Sequence, residues 1–300
     1  MKAGFLIVYR VGLVLATLGI AGCIFRLWQA RRRVTGTTLM TAWQWAAAGM
    51  LLWASAWCLT ILFPWVERAA SDQIWYGVSL VMLCPPMAVL GAKRPAARVW
   101  GWFILSPMLL VLGWPALLAW RGGAGPQRLL LPEPALVAYG LVCLMGIGNY
   151  LGTRFAPQAA LFGVALFWLI APLSGSRIEW FASPDLCRMW GTLCLTAAVW
   201  SAGLSRRRAV SERPPLDRMW IDFRNLYGVV WARRTQDRFN AAASQTNLAV
   251  RLEQDGFRLA AGTTAEAQAE TWLTAEKTFR WLLRRFVDAE WMEERVKGEG

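Results

Sequence analysis

The 300-residue chain contains no histidine. That absence excludes His-ligated haem, most catalytic metal sites, Ser-His-Asp and Cys-His nucleophile systems, and any imidazole-based pH switch. The six cysteines (Cys23, Cys58, Cys84, Cys143, Cys187, Cys194) form no CxxC pair and fall almost entirely in apolar runs. A thiol there packs as a small hydrophobe and implies no disulfide framework. Acids are scarce at the front, where residues 1–204 hold only Glu67, Asp72, Glu133, Glu179 and Asp185. No Asp, Glu or Lys lies in the middle of an apolar run, whereas an ion-coupled transporter normally places a carboxylate at mid-membrane. A Gly-rich phosphate loop, a nucleophile elbow and metal-ligand spacing are missing too. So is any internal repeat of the kind that builds transporters. No cofactor, metal or catalytic residue is therefore expected.

What the chain has in quantity is apolar surface. Apolar residues make up 56% of it and charged ones only 17%, which points to a membrane protein. Seven runs of membrane length follow one another: 11–25, 40–63, 73–91, 100–120, 134–151, 158–174 and 187–204. Several are short for a span but within range. Pro85-Pro86 should kink the third, and Pro107 and Pro115 the fourth, breaks that spans tolerate when neighbours satisfy the freed carbonyls. Ile20-Ala21-Gly22-Cys23 has the form of a lipoprotein cleavage box. Hydrophobic Ile24 and Phe25, with Arg26 and Arg31–Arg33 close behind, favour a retained helix over cleavage.

The basic residues set the expected orientation. With the C-terminus inside, the inner segments hold Arg26, Arg31–Arg33, Lys93, Arg94, Arg98, Arg154, Arg206–Arg208 and Arg213. The outer ones hold Lys2, Arg10, Arg68, Arg121, Arg128, Arg177 and Arg188. The excess inside gives N-out, C-in. The net charge of +13 then reads as topology and contact with anionic headgroups. No basic and aromatic module stands behind a nucleic-acid partner.

Twenty tryptophans are present, about half of them near predicted span ends, where an amphipathic ring prefers the headgroup layer. Trp53 and Trp57 lie deeper and four apart, on one helical face, which suits helix packing better than an aromatic pocket. Gly12-xxx-Ala16, Ala46–Gly49 and Gly148-xxx-Gly152 would let helices approach closely.

The chain divides into a bundle at 1–204, a basic and Pro-containing linker at 205–215, and a soluble-looking domain at 216–300. In the last part, Leu216, Met219, Trp220, Phe223, Leu226, Tyr227 and Val230 form a helical stripe. Alternation at Leu248–Leu252 and Phe257–Ala261 brackets Asp255-Gly256, a hairpin signal. A two-residue turn pairs Leu252 with Leu259 and Glu253 with Arg258. Thr263 and Glu266 make a capping box for a helix running to about Lys297. The fold class expected is therefore an all-α seven-helix membrane bundle with a small cytoplasmic α+β cap, arranged helix, hairpin, helix.

Candidate sites are few. Gln44, Asn149, Tyr150 and Arg154 are the intramembrane polar candidates, more in keeping with interhelical hydrogen bonds than with substrate contacts. Glu179 and Asp185 with Arg177 and Arg188 share an outer loop, where charge is usually just solvated. Trp220, Phe223, Arg224, Tyr227, Trp231, Arg233, Arg234 and Arg238 crowd the first cap helix. Such residues anchor interfaces or meet lipid headgroups, unless the apolar stripe simply covers the hairpin. The expected function is a non-catalytic accessory, assembly or regulatory subunit of a cell inner (plasma) membrane, binding a partner protein through the cap, with homo-oligomerisation open. A sensor for an apolar ligand, or an uncoupled transporter or lipid-handling protein, is the alternative.

Overall fold

The computed structural model describes residues 2–63, 65–94, 99, 101–121, 128–175, 183–204, 214–260 and 265–297. The chain is almost wholly helical among these residues. The bundle comprises α1 (Lys2–Val34), α2 (Met40–Leu62), α3 (Arg68–Leu90), α4 (Ser106–Arg121, entered through a π-turn at Gly101–Leu105), α5 (Glu133–Gly148), α6 (Ala156–Ile170, prolonged by a 3-10 turn at Ala171–Leu173) and α7 (Pro184–Leu204). Five helices are long and apolar enough to cross a bilayer: Val11–Val34, Met40–Leu62, Arg68–Leu90, Gly101–Ala119 and Ala156–Leu173. Multiple apolar helices of this kind are consistent with a multi-pass membrane protein. Helix α5 is apolar but shorter.

Helices α1, α2, α3, α6 and α7 pack in a closed ring, while α4 and α5 lie on the flank of α3. Having neighbours on all sides, α3 is the most buried of the five long apolar helices. Small residues set the closest approach in the ring. Gly12, Gly19 and Gly22 of α1 meet Met189, Thr196 and Trp200 of α7, and Gly49 of α2 meets Met82 of α3. Gly148-xxx-Gly152 is not a helix–helix contact, because α5 ends at Gly148 and Gly152 faces Val229 instead. Cys23 lies buried within an unbroken α1, a helix that starts earlier and ends later than the apolar run alone suggests.

Beyond the bundle come α8 (Pro215–Gln245), β1 (Val250–Leu252), β2 (Phe257–Leu259), α9 (Ala265–Leu283) and α10 (Ala289–Lys297). The hairpin forms, but two residues off the expected register: Val250 pairs with Leu259, Arg251 with Arg258 and Leu252 with Phe257. Side chains of α8 cause the shift by taking the bonds a tighter turn would use. Asp217 accepts from the Phe257 N–H at 2.8 Å, and Trp220 Nε1 donates to the Gln254 carbonyl at 3.1 Å. Glu253 and Arg258 still meet, at 2.8 Å across the widened loop. The Asn240 side chain both accepts from the Leu252 N–H and donates to its carbonyl, which closes a strand edge that would otherwise be open.

The last helix is not continuous to Lys297. It breaks after Leu283 so that residues 284–288 can lie against the loop following α1. Thr37 and Val287 form an antiparallel bridge, Thr38 N donates to Phe286 O at 2.9 Å, and Asp288 N to Gly36 O at 2.8 Å. The expected capping box at Thr263 lies outside the described residues, as does the linker at 205–213. The cap does not stand apart from the bundle: Leu39, Met87 and Leu105 share one buried cluster with Trp220, Phe223 and Phe286.

Candidate functional site

The junction between bundle and cap is organised by a break in α8. At Gly228 the backbone leaves the helix, with φ +78°, a conformation glycine adopts without the Cβ penalty. A break frees polar groups that must find partners. Asn149, just past α5, supplies nearly all of them. Its carbonyl accepts from Val229 N at 2.8 Å, its Oδ1 from Val230 N at 3.0 Å, and its Nδ2 donates to Tyr227 O at 3.1 Å. The Tyr150 hydroxyl adds a bond to Leu226 O, and Arg154 N donates to the Asn225 side chain. A Cβ at Gly228 would overlap Asn149. Three of the four intramembrane polar candidates thus converge on the cap. Gln44 is exposed and takes no part.

On the other side of the break, the Tyr227 hydroxyl donates to Phe286 O at 2.8 Å and sits 3.1 Å from the Thr38 hydroxyl, which donates to Ala92 O at 2.7 Å. Trp231 Nε1 reaches Val89 O at the end of α3 at 2.9 Å. Burial holds the Tyr227 hydroxyl well above the ordinary tyrosine range because it disfavours the charged phenolate. Trp220, Phe223, Tyr227 and Trp231 are therefore core residues, stacked edge-on or face-on around Phe286 and Phe279. Arg224 points back to Gln254 O. Arg233 pairs with Asp237 at 3.2 Å, Arg234 lies 5.0 Å over the Trp231 ring, and all three side chains are exposed.

Arg238 is exposed as well and opens a surface cleft of about 690 Å³ with Lys277, Trp281 and Arg285. Trp281 is 56% exposed and has the Arg285 guanidinium 5.4 Å above its ring. Lys93 belongs to the same basic surface. Its pKa is lowered, by desolvation first and then by Arg238, Arg285 and Arg234.

Beneath the junction, between ring helices, α5 and the cap, lies a chamber open to the outside, more so at its apolar end. Two adjoining cavities of about 360 and 410 Å³ share the walls formed by Leu27, Ala30, Ala46, Pro85, Phe162 and Leu226. Small side chains on facing helices line this space together with Pro85 and Pro86, through which α3 runs on without the kink expected there. One end is apolar, reaching Trp43, Gly146 and Ala159. The other carries Arg26, Arg33 and Arg154, together with Asp222 and Arg295 of the cap. Arg295 Nε lies 3.2 Å from Asp222 Oδ2, and Arg26 lies 4.8 Å over the Trp200 ring.

At the opposite end of the bundle the polar groups are ionic. Asp72 of α3 and Arg188 of α7, both nearly fully buried, pair at 2.8 Å, and Arg188 also binds Asp185 at 3.0 Å. Half-exposed Arg128 stands 3.7 Å from the second Asp72 oxygen. Below them Trp53 and Trp57 both donate to the Thr192 hydroxyl, at 3.0 and 2.9 Å, and Trp75 meets both rings edge-on. The two deep tryptophans are thus packing residues. Of the outer-loop candidates, Asp185 and Arg188 enter this cluster, whereas Arg177 and Glu179 lie outside the described residues. Asp72 was missed because it lies 113 residues from Asp185 in the sequence, and no spacing rule joins them. A cavity of about 400 Å³ opens above the ion pair.

Comparison of the sequence with protein-family models and with curated proteins, and of the fold with solved structures, returned no match.

Proposed function

We propose that the protein is a non-catalytic regulatory subunit of a cell inner (plasma) membrane, with seven spans, an outer N-terminus and a cytoplasmic cap. In this reading the chamber takes an apolar or amphiphilic ligand, and the cap presents the consequence to a partner at its basic face. Support for seven spans comes from the sorting of loops. Those at 35–38, 91–94 and 149–154 touch the cap, and the charged positions assigned outside (Asp72, Arg128, Asp185, Arg188) cluster together at the far end. The basic set therefore gathers on the cap side, as the positive-inside rule requires of a cytoplasmic cap.

One observation carries the regulatory role: Asp222, Leu226 and Arg295 of the cap form part of the chamber wall. Anything that occupies the chamber touches the cap directly, and a ligand can shift a conformation only through differential contacts with it. Deleting the cap would strip cover from Leu39 and Met87, so point variants are the proper probe. Hydrogen exchange of α8 and α10 in the purified full chain, compared with an Ala202→Trp variant that fills the chamber, should show altered protection around Gly228 and Asp222. Unchanged protection in a folded variant would end the coupling argument. Affinity capture with Arg233, Arg234 and Arg238 reversed to Glu tests the partner face. Retention of every partner would remove that face from the proposal.

A further inference from the structure

We infer that the partner docks through an acidic segment bearing apolar side chains, laid in the surface cleft between α8 and α9. This names the chemistry of the partner, and so rests on the basic face of the proposal above. Arg238, Ala241, Ala242 and Gln245 of α8 form one wall of the cleft, and Lys277 and Trp281 of α9 the other, with Arg285 just past the end of that helix. Positions three and four apart share a helical face, so each wall is continuous. Two features set the cleft apart from the rest of the cap. Its described lining holds three cations and no acid. Asp237 and Glu276, next in sequence to Arg238 and Lys277, are engaged elsewhere, by Arg233 at 3.2 Å and Arg280 at 2.8 Å. Lys93, from the loop after α3, adds to the crowding, standing in the positive fields of Arg238, Arg285 and Arg234. The second feature is apolar. In the described part of the cap, Leu273 and Trp281 are the two large hydrophobic side chains left more than half exposed, and Lys277 stands between them on α9.

An acidic segment with apolar neighbours answers both features at once. Its carboxylates would relieve the mutual repulsion of the cations, and its apolar side chains would cover the exposed indole. Trp and Arg are the residue types that most often carry binding energy at interfaces, and complementary charge steers the encounter and fixes its register. The shape suits a polypeptide. Between the long side chains stand Ala241 and Ala242, which leave a hollow of about 690 Å³. Protruding side chains fill such a hollow, and a flat layer of lipid headgroups does not. From Arg238 to Gln245 the cleft follows α8 for about 10 Å, the length of about three residues of an extended chain. A nucleic acid would call for a series of aromatic platforms, and the described lining offers Trp281 alone.

The test uses the full chain in a neutral maltoside detergent and fluorescein-labelled peptides of repeated Glu-Glu-Leu, Glu-Glu-Ser and Lys-Lys-Leu, read by fluorescence anisotropy. The Glu-Glu-Leu peptide should bind, and its affinity should fall about tenfold or more between about 50 and 500 mM salt. The Glu-Glu-Ser peptide should bind about tenfold more weakly, and the Lys-Lys-Leu peptide should not bind. Arg238→Glu and Lys277→Glu should each weaken the Glu-Glu-Leu peptide about tenfold, and Trp281→Ala should bring it to the level of Glu-Glu-Ser. Arg251→Glu makes the same charge change on an exposed residue outside the cleft and should leave binding unaltered. Unaltered affinity in both cleft reversals, or an equal loss in Arg251→Glu, would overturn the site. Equal affinity of the serine peptide would overturn the apolar contact. Tighter binding of a poly-dT oligonucleotide, or displacement of the peptide by dioctanoyl phosphatidylglycerol, would assign the cleft to nucleic acid or to lipid instead. Failure of the unaltered chain to bind the leucine peptide would strike the inference whatever the variants do. A protein captured by the native chain and retained through both reversals would leave the proposed partner standing and strike this inference alone. Peptide binding without any response of the cap to filling of the chamber would sink the regulatory role and leave this inference in place.

Discussion

The two ends of the bundle bury polar groups by opposite means. At the far end, Asp72 and Arg188 are full charges held by each other, with Asp185 and Arg128 beside them. At the cap end the groups are neutral: Asn149 and Tyr150 bond to backbone freed by the break at Gly228, and Tyr227 and Trp231 to the carbonyls of Phe286 and Val89. The first arrangement depends on charge balance, because either charge left alone in a buried site would be costly. The second depends on shape, since every bond at Asn149 exists only because the chain turns at Gly228. Regulation by a ligand is more easily built on the second, where a small change in backbone breaks several bonds at once.

The sharpest way to break the contrast is at the ion pair. Arg188→Met should destabilise the detergent-solubilised protein by about 3 kcal/mol or more, because Asp72 would be left buried without its main partner. Adding Asp72→Leu should restore much of the loss in the same thermal unfolding assay. Next in size is Gly228→Ala, which imposes a positive-φ penalty and a collision with Asn149 together. It should cost about 2 kcal/mol or more. Gly140→Ala, where an added methyl meets nothing within 4 Å, should leave the melting curve unchanged or slightly improved.

Tyr227→Phe should cost about 1 kcal/mol, since Phe286 O keeps the Thr38 N–H but loses its second donor, and the Thr38 hydroxyl loses a neighbour. It also carries a pH signature. Burial raises the Tyr227 pKa in the folded state, so its contribution is complete below the ordinary tyrosine value of about 10 and declines as pH rises through the folded value. Lys and Arg titrate in the same region, so the difference between wild type and Tyr227→Phe is the quantity to follow. Their stabilities should converge in alkali, and parallel curves would contradict the assignment. The smallest effect expected is Arg233→Ala, within about 0.5 kcal/mol, because its partner Asp237 is equally exposed.

Much of this could be read from the chain beforehand. The apolar runs, the change of character after residue 204, the helical stripe of the cap and the existence of the hairpin all follow from local periodicity, and local periodicity is what folding a helix or a strand requires. The stripe was ambiguous in one respect. Trp220, Phe223, Tyr227 and Trp231 have the composition of an interface, and aromatic residues look the same in a sequence whether they cover a partner or their own domain. Only the arrival of Phe279 and Phe286 from a later helix decides between the two. The chamber was less visible still: alanines and glycines scattered over five helices acquire meaning only once those helices face one another.

Composition and spacing by themselves determined that apolar helices dominate the first two thirds, that histidine chemistry is closed to the chain, and that its final third alternates helix with hairpin. Tertiary structure alone decided that Asp72 meets Arg188, that Asn149 closes the break at Gly228, that the last helix interrupts itself to pair with residues 36–38, and that residues of α1, the α5–α6 turn and the cap line one cavity. The division has a physical cause. Helix and strand patterns arise between residues a few positions apart, whereas these contacts join groups separated by dozens to hundreds of residues, and their geometry exists only after the helices have packed.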